Sequence, residues 1–246
     1  MKKESNRSIV LEFYRSVIRD RNSELIHEYI SDDYIQHSPS LKGGKAALFD
    51  AVEYLKKMPK PTETKPPYIL CIEDNAFVVL LLDIVFVGRK LVADVFRMQD
   101  GKIVEHWDAM QDQRNDSPGH EGMLQVSDHD QLDKNKSLIR ELFVQVGDSA
   151  TKRYFTRENY VEHSDEILNS GLRLEDYLST KVTTETLEVH RIFGEGNLVV
   201  VQSERKRSGL SFVCYDFFKM SDALIAEHWS VEQKIPDSMP HDNGMI

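Results

Sequence analysis

A chain of 246 residues is long enough for one large domain or for two of about 100 to 150 residues. Its 31 Lys and Arg against 41 Asp and Glu leave a formal net charge of -10, which repels phosphate backbones and anionic lipid surfaces, so neither nucleic acid nor a membrane is an expected partner. With 40% hydrophobic and 29% charged residues the chain can bury a core, and its longest apolar run, AFVVLLLDIVFV at 76–87, is too short for a membrane span and is broken by Asp83.

The N-terminal MKKESNRSIVLEFYRSVIRD becomes amphipathic directly after its charges, without an unbroken apolar core or a small-residue cleavage site, so it does not read as a signal peptide. Ile9, Val10, Phe13, Val17 and Ile18 fall on one face of a first helix. A second, short helix follows, with Asn22 or Ser23 as its cap and Leu25, Ile26, Tyr29 and Ile30 as its apolar side. After YIQHSP, the run GGKAALFDAVEYLKKM predicts a third helix, ended by the proline-rich PKPTETKPPY. From Tyr68 onward β-branched and aromatic runs take over: YILCIE, NAFVVLLLDIVFV, LVADVFRM and KIVEHWDAM, with turns at Gly88-Arg89 and Gln99-Asp100-Gly101. Three helices before an antiparallel meander predict an α+β domain whose helices cover one face of a curved, mostly antiparallel sheet, leaving a concave side able to enclose a pocket. Cys71 and Cys214 both sit in apolar strand-like runs, which argues against a disulfide framework and for reduced thiols in the cytoplasm.

The pattern then starts again. DVFRMQDGKIVEHWDAMQ (94–111) aligns with DFFKMSDALIAEHWSVEQ (216–233) at a constant offset of 122 residues. Upstream, YIQHS (34–38) lies over YVEHS (160–164), and NRSIVLEFYRSVI (6–18) over NKSLIRELFVQVG (135–147); downstream, Gly122-Met123 lies over Gly244-Met245. The chain therefore reads as two similar domains, 1–124 and 130–246, joined by the polar stretch QVSDHDQLDKNK, which has no apolar periodicity.

Side chains alternate along a strand, so Asp94 shares a face with Val92, Phe96 and Met98, and His106 shares one with Asp108 and Met110. A three-residue loop at Gln99-Asp100-Gly101 would pair Met98 with Lys102 and set Asp94 opposite His106; the same arithmetic pairs Met220 with Leu224 and sets Asp216 opposite His228. A two-residue turn would instead set Asp94 against Trp107. A carboxylate on so apolar a face must be paired or protonated. His37 and His163, just after a helix, are expected at the open end of each sheet as a third polar group, while Trp107 and Trp229, on the opposite strand face, are expected to pack against the helices.

At these residues the chain resembles the SnoaL-like polyketide cyclases of the nuclear-transport-factor-two-like superfamily. The resemblance rests on YIQHSP followed by Gly-Gly, on DVFRMQDGKIVEHWDAMQ and on the Gly-Met tail, and more loosely on YVEHS, DFFKM, EHW, Gln233 and NGM in the second repeat. It implies a cone-shaped α+β domain in tandem, a small-molecule ligand, no metal or organic cofactor, and proton transfer next to a carbonyl by cyclase, isomerase or aldol-type chemistry. Carried over by position, it implies His37, Asp94, His106 and Asp108 as the catalytic set, with His163, Asp216 and His228 as a second pocket in which Ser230 replaces Asp108. Because members of this superfamily commonly dimerise through their sheets, the tandem chain is expected to form an intramolecular pseudo-dimer, itself a monomer or a homodimer, with each Gly-Met tail near a pocket mouth. The competing readings are a non-catalytic binding module for a small apolar or carbonyl-bearing ligand, a metal site built from the same residue types, and a scaffold whose pockets are filled by its own side chains.

Overall fold

The computed structural model describes residues 4–59, 66–114, 122–156, 159–181 and 184–246; most of the proline-rich connection after the third helix lies outside them. Ser5 opens α1 (Asn6–Phe13) by accepting a hydrogen bond from the Ser8 amide. Val10, Phe13 and Val17 are buried, and Ile9 and Ile18 lean on the same cluster, as the spacing requires. After Phe13 the coil widens into a π-turn over Tyr14–Arg19.

The second helix, α2 (Ile26–Tyr29), is one turn long and follows a 3₁₀ turn at Ser23–Leu25. Neither Asn22 nor Ser23 caps it through a side chain: the Ser23 hydroxyl donates to Glu53 of α3 (Lys45–Leu55) instead. Ile30, expected on that helix, begins β1 (Ile30–Gln36), a strand the pattern concealed because exposed Asp32 and Asp33 interrupt its alternation. The meander follows as β2 (Tyr68–Asp74), β3 (Phe77–Val85), β4 (Arg89–Gln99) and β5 (Lys102–Asp112). The β3–β4 turn lies one residue earlier than expected: Val87 and Gly88 take the positive φ values and Arg89 already pairs with Val85.

In the second half, the stretch expected as a linker is partly helical. A 3₁₀ turn at His129–Gln131 leads into α4 (Leu132–Val144), whose first turns are polar and whose apolar periodicity begins only at Leu138 and Ile139. Then come β6 (Val161–Glu162), α5 (Asp165–Ser170), α6 (Leu174–Lys181), β7 (Glu185–Glu195), β8 (Leu198–Arg207), β9 (Leu210–Ser221) and β10 (Leu224–Lys234).

Each half forms a five-stranded sheet of the same topology, β1-β5-β4-β3-β2 and β6-β10-β9-β8-β7. The meander is antiparallel; only β1 and β6 run parallel to their neighbours β5 and β10. One face of each sheet carries the helices, over apolar clusters that include Val10, Phe13, Leu80 and Phe96 in one half and Ile139, Leu142, Val201 and Phe218 in the other. The remaining two faces pack on each other through a shared core containing Leu81, Val95 and Trp107 from one sheet and Val200, Tyr215 and Trp229 from the other. Trp107 and Trp229 therefore pack between the sheets and not against the helices.

The seam also exchanges hydrogen bonds symmetrically. Beyond His106 no strand among the described residues pairs with the outer side of β5, and there the Met110 amide donates to Gln233 Oε1 at 2.8 Å; in return the Glu232 amide of β10 donates to Gln111 Oε1 at 2.8 Å. These donors and acceptors are equivalent positions of the repeat, which is the signature of an isologous contact within one chain. Among the described residues no helix is long and apolar enough to cross a membrane.

Candidate functional site

The β4–β5 hairpin decides which side chains meet. Its turn has two residues, Asp100 (φ 51) and Gly101 (φ 77), both left-handed, so Gln99 pairs with Lys102; the expected three-residue loop pairing Met98 with Lys102 is not formed. The ladder then slips between Met98↔Ile103 and Arg97↔Glu105, a bulge that leaves Val104 unpaired. Turn and bulge together restore the parity of the pairing, so Asp94 and His106 share a face as expected. Their partners differ: Asp94 lies opposite Asp108, and His106 opposite Phe96. The second hairpin repeats the device with Asp222 (φ 51) and Ala223 (φ 58), so Ser221 pairs with Leu224 and Asp216 faces Ser230 in place of His228.

In the first cone His106 Nε2 lies 3.0 Å from Asp94 Oδ1, diagonal to it across the strands, and its ring stacks on Phe96. The other Asp94 oxygen accepts from the Tyr14 hydroxyl, which the π-turn brings over the sheet. His106 Nδ1 lies 3.0 Å from Gln36 Oε1, and that oxygen also accepts from the amides of His37 (3.0 Å) and Ser38 (2.9 Å). Two backbone donors identify it as the carbonyl side of the amide, so Nδ1 must carry the hydrogen. One more proton then belongs between Nε2 and Asp94, held on the imidazole or on the carboxyl. Gln36 Nε2 in turn donates to Tyr34 Oη at 2.9 Å, which leaves the Tyr34 hydroxyl hydrogen free to be given elsewhere.

Burial disfavours a charged His106, but the hydrogen bond and charge of Asp94, with Asp108 behind it, outweigh burial and raise its pKa. Burial also raises Asp108, against the pull of His106 and with the repulsion of Asp94, to about 6. Its Oδ1 is buried with no hydrogen-bond partner. Tyr14 and Tyr34 are both raised, chiefly by burial, with carboxylate repulsion adding to it.

The second cone has the same frame and a different content. Glu162 stands for Gln36 and accepts from the amides of His163 and Ser164 and from His228 Nδ1 at 2.9 Å, while His228 Nε2 lies 3.2 Å from Asp216. Arg205, at the ladder position that Ile84 holds in the first sheet, donates to Asp216 Oδ2 at 2.6 Å. Burial opposes the charge on His228, but two carboxylates overcome it and raise its pKa to about 9. Burial raises and Arg205 more than offsets the Asp216 pKa, which is lowered. The His228 side chain is 0% exposed, whereas His106 keeps 12%. Ser230 bonds to Ser164. The first pair keeps a slight exposure; the second is closed in by its own ions.

His37 and His163 are not brought into the pockets. Strand alternation turns Gln36 and Glu162 inward and the histidines to the opposite face, where His37 stacks on Trp107 and faces Glu105 Oε1 at 2.9 Å, and His163 stacks on Trp229 and faces Glu227 at 2.9 Å. The inward groups missed from sequence are Tyr14, Tyr34 and Gln36. The exchange of YIQ for YVE between the repeats was a visible signal for Gln36; Tyr14 left none, because the π-turn that aims it has no sequence mark. The second Gly-Met tail lies on the side of the sheets: the Gly244 carbonyl accepts from His37 Nδ1 and Met245 enters the core between the sheets. For Gly122-Met123, the preceding 115–121 lie outside the described residues.

Asp94, His106 and Asp108 each bring one donor atom within 4.8 Å of the others, as do Glu188, His190 and Glu204 on β7 and β8. In the first set both Asp94 oxygens are already engaged, by His106 and by Tyr14, so the chain itself supplies the charge compensation that an ion would otherwise provide.

No family model matches the chain, and no curated protein does. Solved structures of nuclear-transport-factor-two-like proteins do. A candidate polyketide cyclase from Streptomyces antibioticus is 17% identical, over 40% of this chain and 91% of its own, with a TM-score of 0.32. A candidate ketosteroid isomerase from Kribbella flavida is 15% identical, over 44% and 84%, with a TM-score of 0.35. A protein of unknown function from Burkholderia xenovorans is 16% identical, over 43% and 88%, with a TM-score of 0.36. Each of these solved structures thus spans about the length of one repeat of a chain that folds as two tandem α+β cones packed sheet to sheet.

Proposed function

We propose that the first cone binds a small carbonyl-bearing molecule and moves a proton next to its carbonyl, as cyclases, isomerases and aldol-type enzymes do, without metal or organic cofactor. The observation that carries this reading is Asp108: a half-buried carboxylate with one buried, unpartnered oxygen and a pKa raised to about 6, beside a histidine–aspartate pair that holds a proton of its own. A base with that pKa is mostly ionised at neutral pH yet strong enough to accept a carbon-bound proton. Asp108 takes the α-proton, the C–H electron pair moves into the carbonyl to form an enolate, and the Tyr34 hydroxyl donates to the enolate oxygen. The negative charge passes from Asp108 to the enolate, and the His106–Asp94 pair, neutral overall with its shared proton, adds no second negative charge beside it. Ser230 at the position of Asp108, and Arg205 held by Asp216, leave the second cone without a base, so turnover belongs to the first.

The test is exchange of α-protons for deuterium in D₂O, followed by NMR over a panel of cyclic ketones and β-diketones. Asp108→Asn should lose at least about 100-fold in exchange rate while keeping ligand affinity, and Ser230→Ala should change neither. A wild-type protein that binds members of the panel without exchanging any of their protons would instead make the cone a binding module.

A further inference from the structure

The three residues that follow one another through the first site, Gln36, His37 and Ser38, are each hydrogen-bonded to a different residue of the C-terminal segment of the second repeat. Asn243 Nδ2 donates to the Gln36 carbonyl at 2.9 Å, the His241 ring Nε2 donates to the Ser38 carbonyl at 2.8 Å, and His37 Nδ1 donates to the Gly244 carbonyl at 2.9 Å. The Asn243 amide points at His241 Nδ1 (3.3 Å), which fixes the His241 tautomer with its hydrogen on Nε2. Met245 anchors the end of the segment in the core between the sheets, 2% exposed, whereas its counterpart Met123 is 38% exposed. The two tails are therefore used differently.

The clasped residues are also those that aim His106. The amides of His37 and Ser38 converge on Gln36 Oε1, and that oxygen receives the His106 Nδ1 hydrogen. In the second repeat the same position is Glu162, whose charge makes its hydrogen bonds to His228 and to the two amides roughly twice as strong as those of a neutral acceptor. The first repeat keeps an uncharged acceptor, which holds its donors less firmly.

We propose that His241 and Asn243, in the second repeat, are positioning residues of the first cone: by tying down the backbone of residues 36–38 they hold Gln36, and through it the ring of His106, in its working orientation. This deepens the reading of the first cone as a proton-transfer site. The arrangement makes that site incomplete without the other half of the chain.

The test uses the full chain, ¹⁵N-labelled, and reads the exchange of the His106 Nδ1 hydrogen with water, with the His228 Nδ1 hydrogen as internal reference. His241→Ala removes two hydrogen bonds and Asn243→Ala one, from partly or fully exposed side chains, so both variants should stay folded; thermal melting verifies it. The expected result is roughly three- to tenfold faster exchange at His106 in both, no change at His228, and recovery in His241→Gln, which keeps a donor near the Ser38 carbonyl. Unchanged exchange at His106 in both folded variants overturns the proposal, and so does equal acceleration at the two histidines, which marks a general loosening. Should Asn243→Ala not fold, the His241 pair of variants decides alone. Because the readout requires no substrate, absence of deuterium exchange in ketones would sink the catalytic reading and leave this one standing.

Discussion

Gln36 and Glu162 differ by an amide nitrogen in place of a carboxylate oxygen, and this separates two sites built on one frame. Both accept from two backbone amides and a histidine Nδ1. Only Glu162 adds a negative charge, and it contributes the largest of the upward influences on the His228 pKa, which together carry it from 6.5 to about 9. Gln36→Glu should therefore raise His106 toward the same range, read by NMR titration of its ring. The sign follows from linkage: a folded-state pKa above the unfolded value adds stability that is complete below about pH 6.5 and is lost as pH rises through the new folded value. The variant should accordingly melt higher relative to wild type at pH 6 than at pH 9.5. An unmoved His106 pKa would show that the charge at this position is not what distinguishes the two rings.

Among the elements, the β4–β5 and β9–β10 hairpins carry the site, and their two-residue turns differ in one respect. Both residues of each turn have positive φ; Gly101 fills the second position in one and Ala223 in the other. An L-residue with a Cβ pays about 1 kcal/mol for that conformation. Ala223→Gly should gain about that much stability in denaturant unfolding, and Gly101→Ala should lose it. Much at this level was legible: the helical face of Val10, Phe13 and Val17 and the four strands of the meander follow from period, whereas the shared face of Asp94 and His106, expected from a three-residue loop, arises because the bulge at Val104 offsets a two-residue turn. The exact partnering was not, because the bulge at Val104 leaves no mark in composition. Nor was β1, whose Asp32 and Asp33 face water. Its loss carried a further cost, since once residues 30–36 are seen as a strand, alternation sends Gln36 into the cone and His37 out of it.

At the scale of the whole molecule the two repeats share one core. Trp107, Leu81 and Val95 of the first sheet are buried by Trp229, Val200 and Tyr215 of the second, and the Arg191 guanidinium of β7 lies 4.7 Å over the Trp107 ring. Neither sheet can lose its partner without exposing that face, so calorimetry should show a single transition, with calorimetric and van't Hoff enthalpies equal. Two separated transitions would mean that the halves are independent. The reciprocal glutamines, Gln111 on the Glu232 amide and Gln233 on the Met110 amide, keep the seam nearly two-fold while the pockets on either side have diverged. In a dimer of identical chains every substitution lands twice, so a change tolerated in one cavity must also be tolerated in the other. Covalent fusion lifts that condition: with both halves encoded separately, one half can trade an aliphatic side chain for Arg205 and fill its interior with paired ions, leaving its twin free to keep Ile84 at that position and, in Asp108, a carboxylate oxygen without a partner.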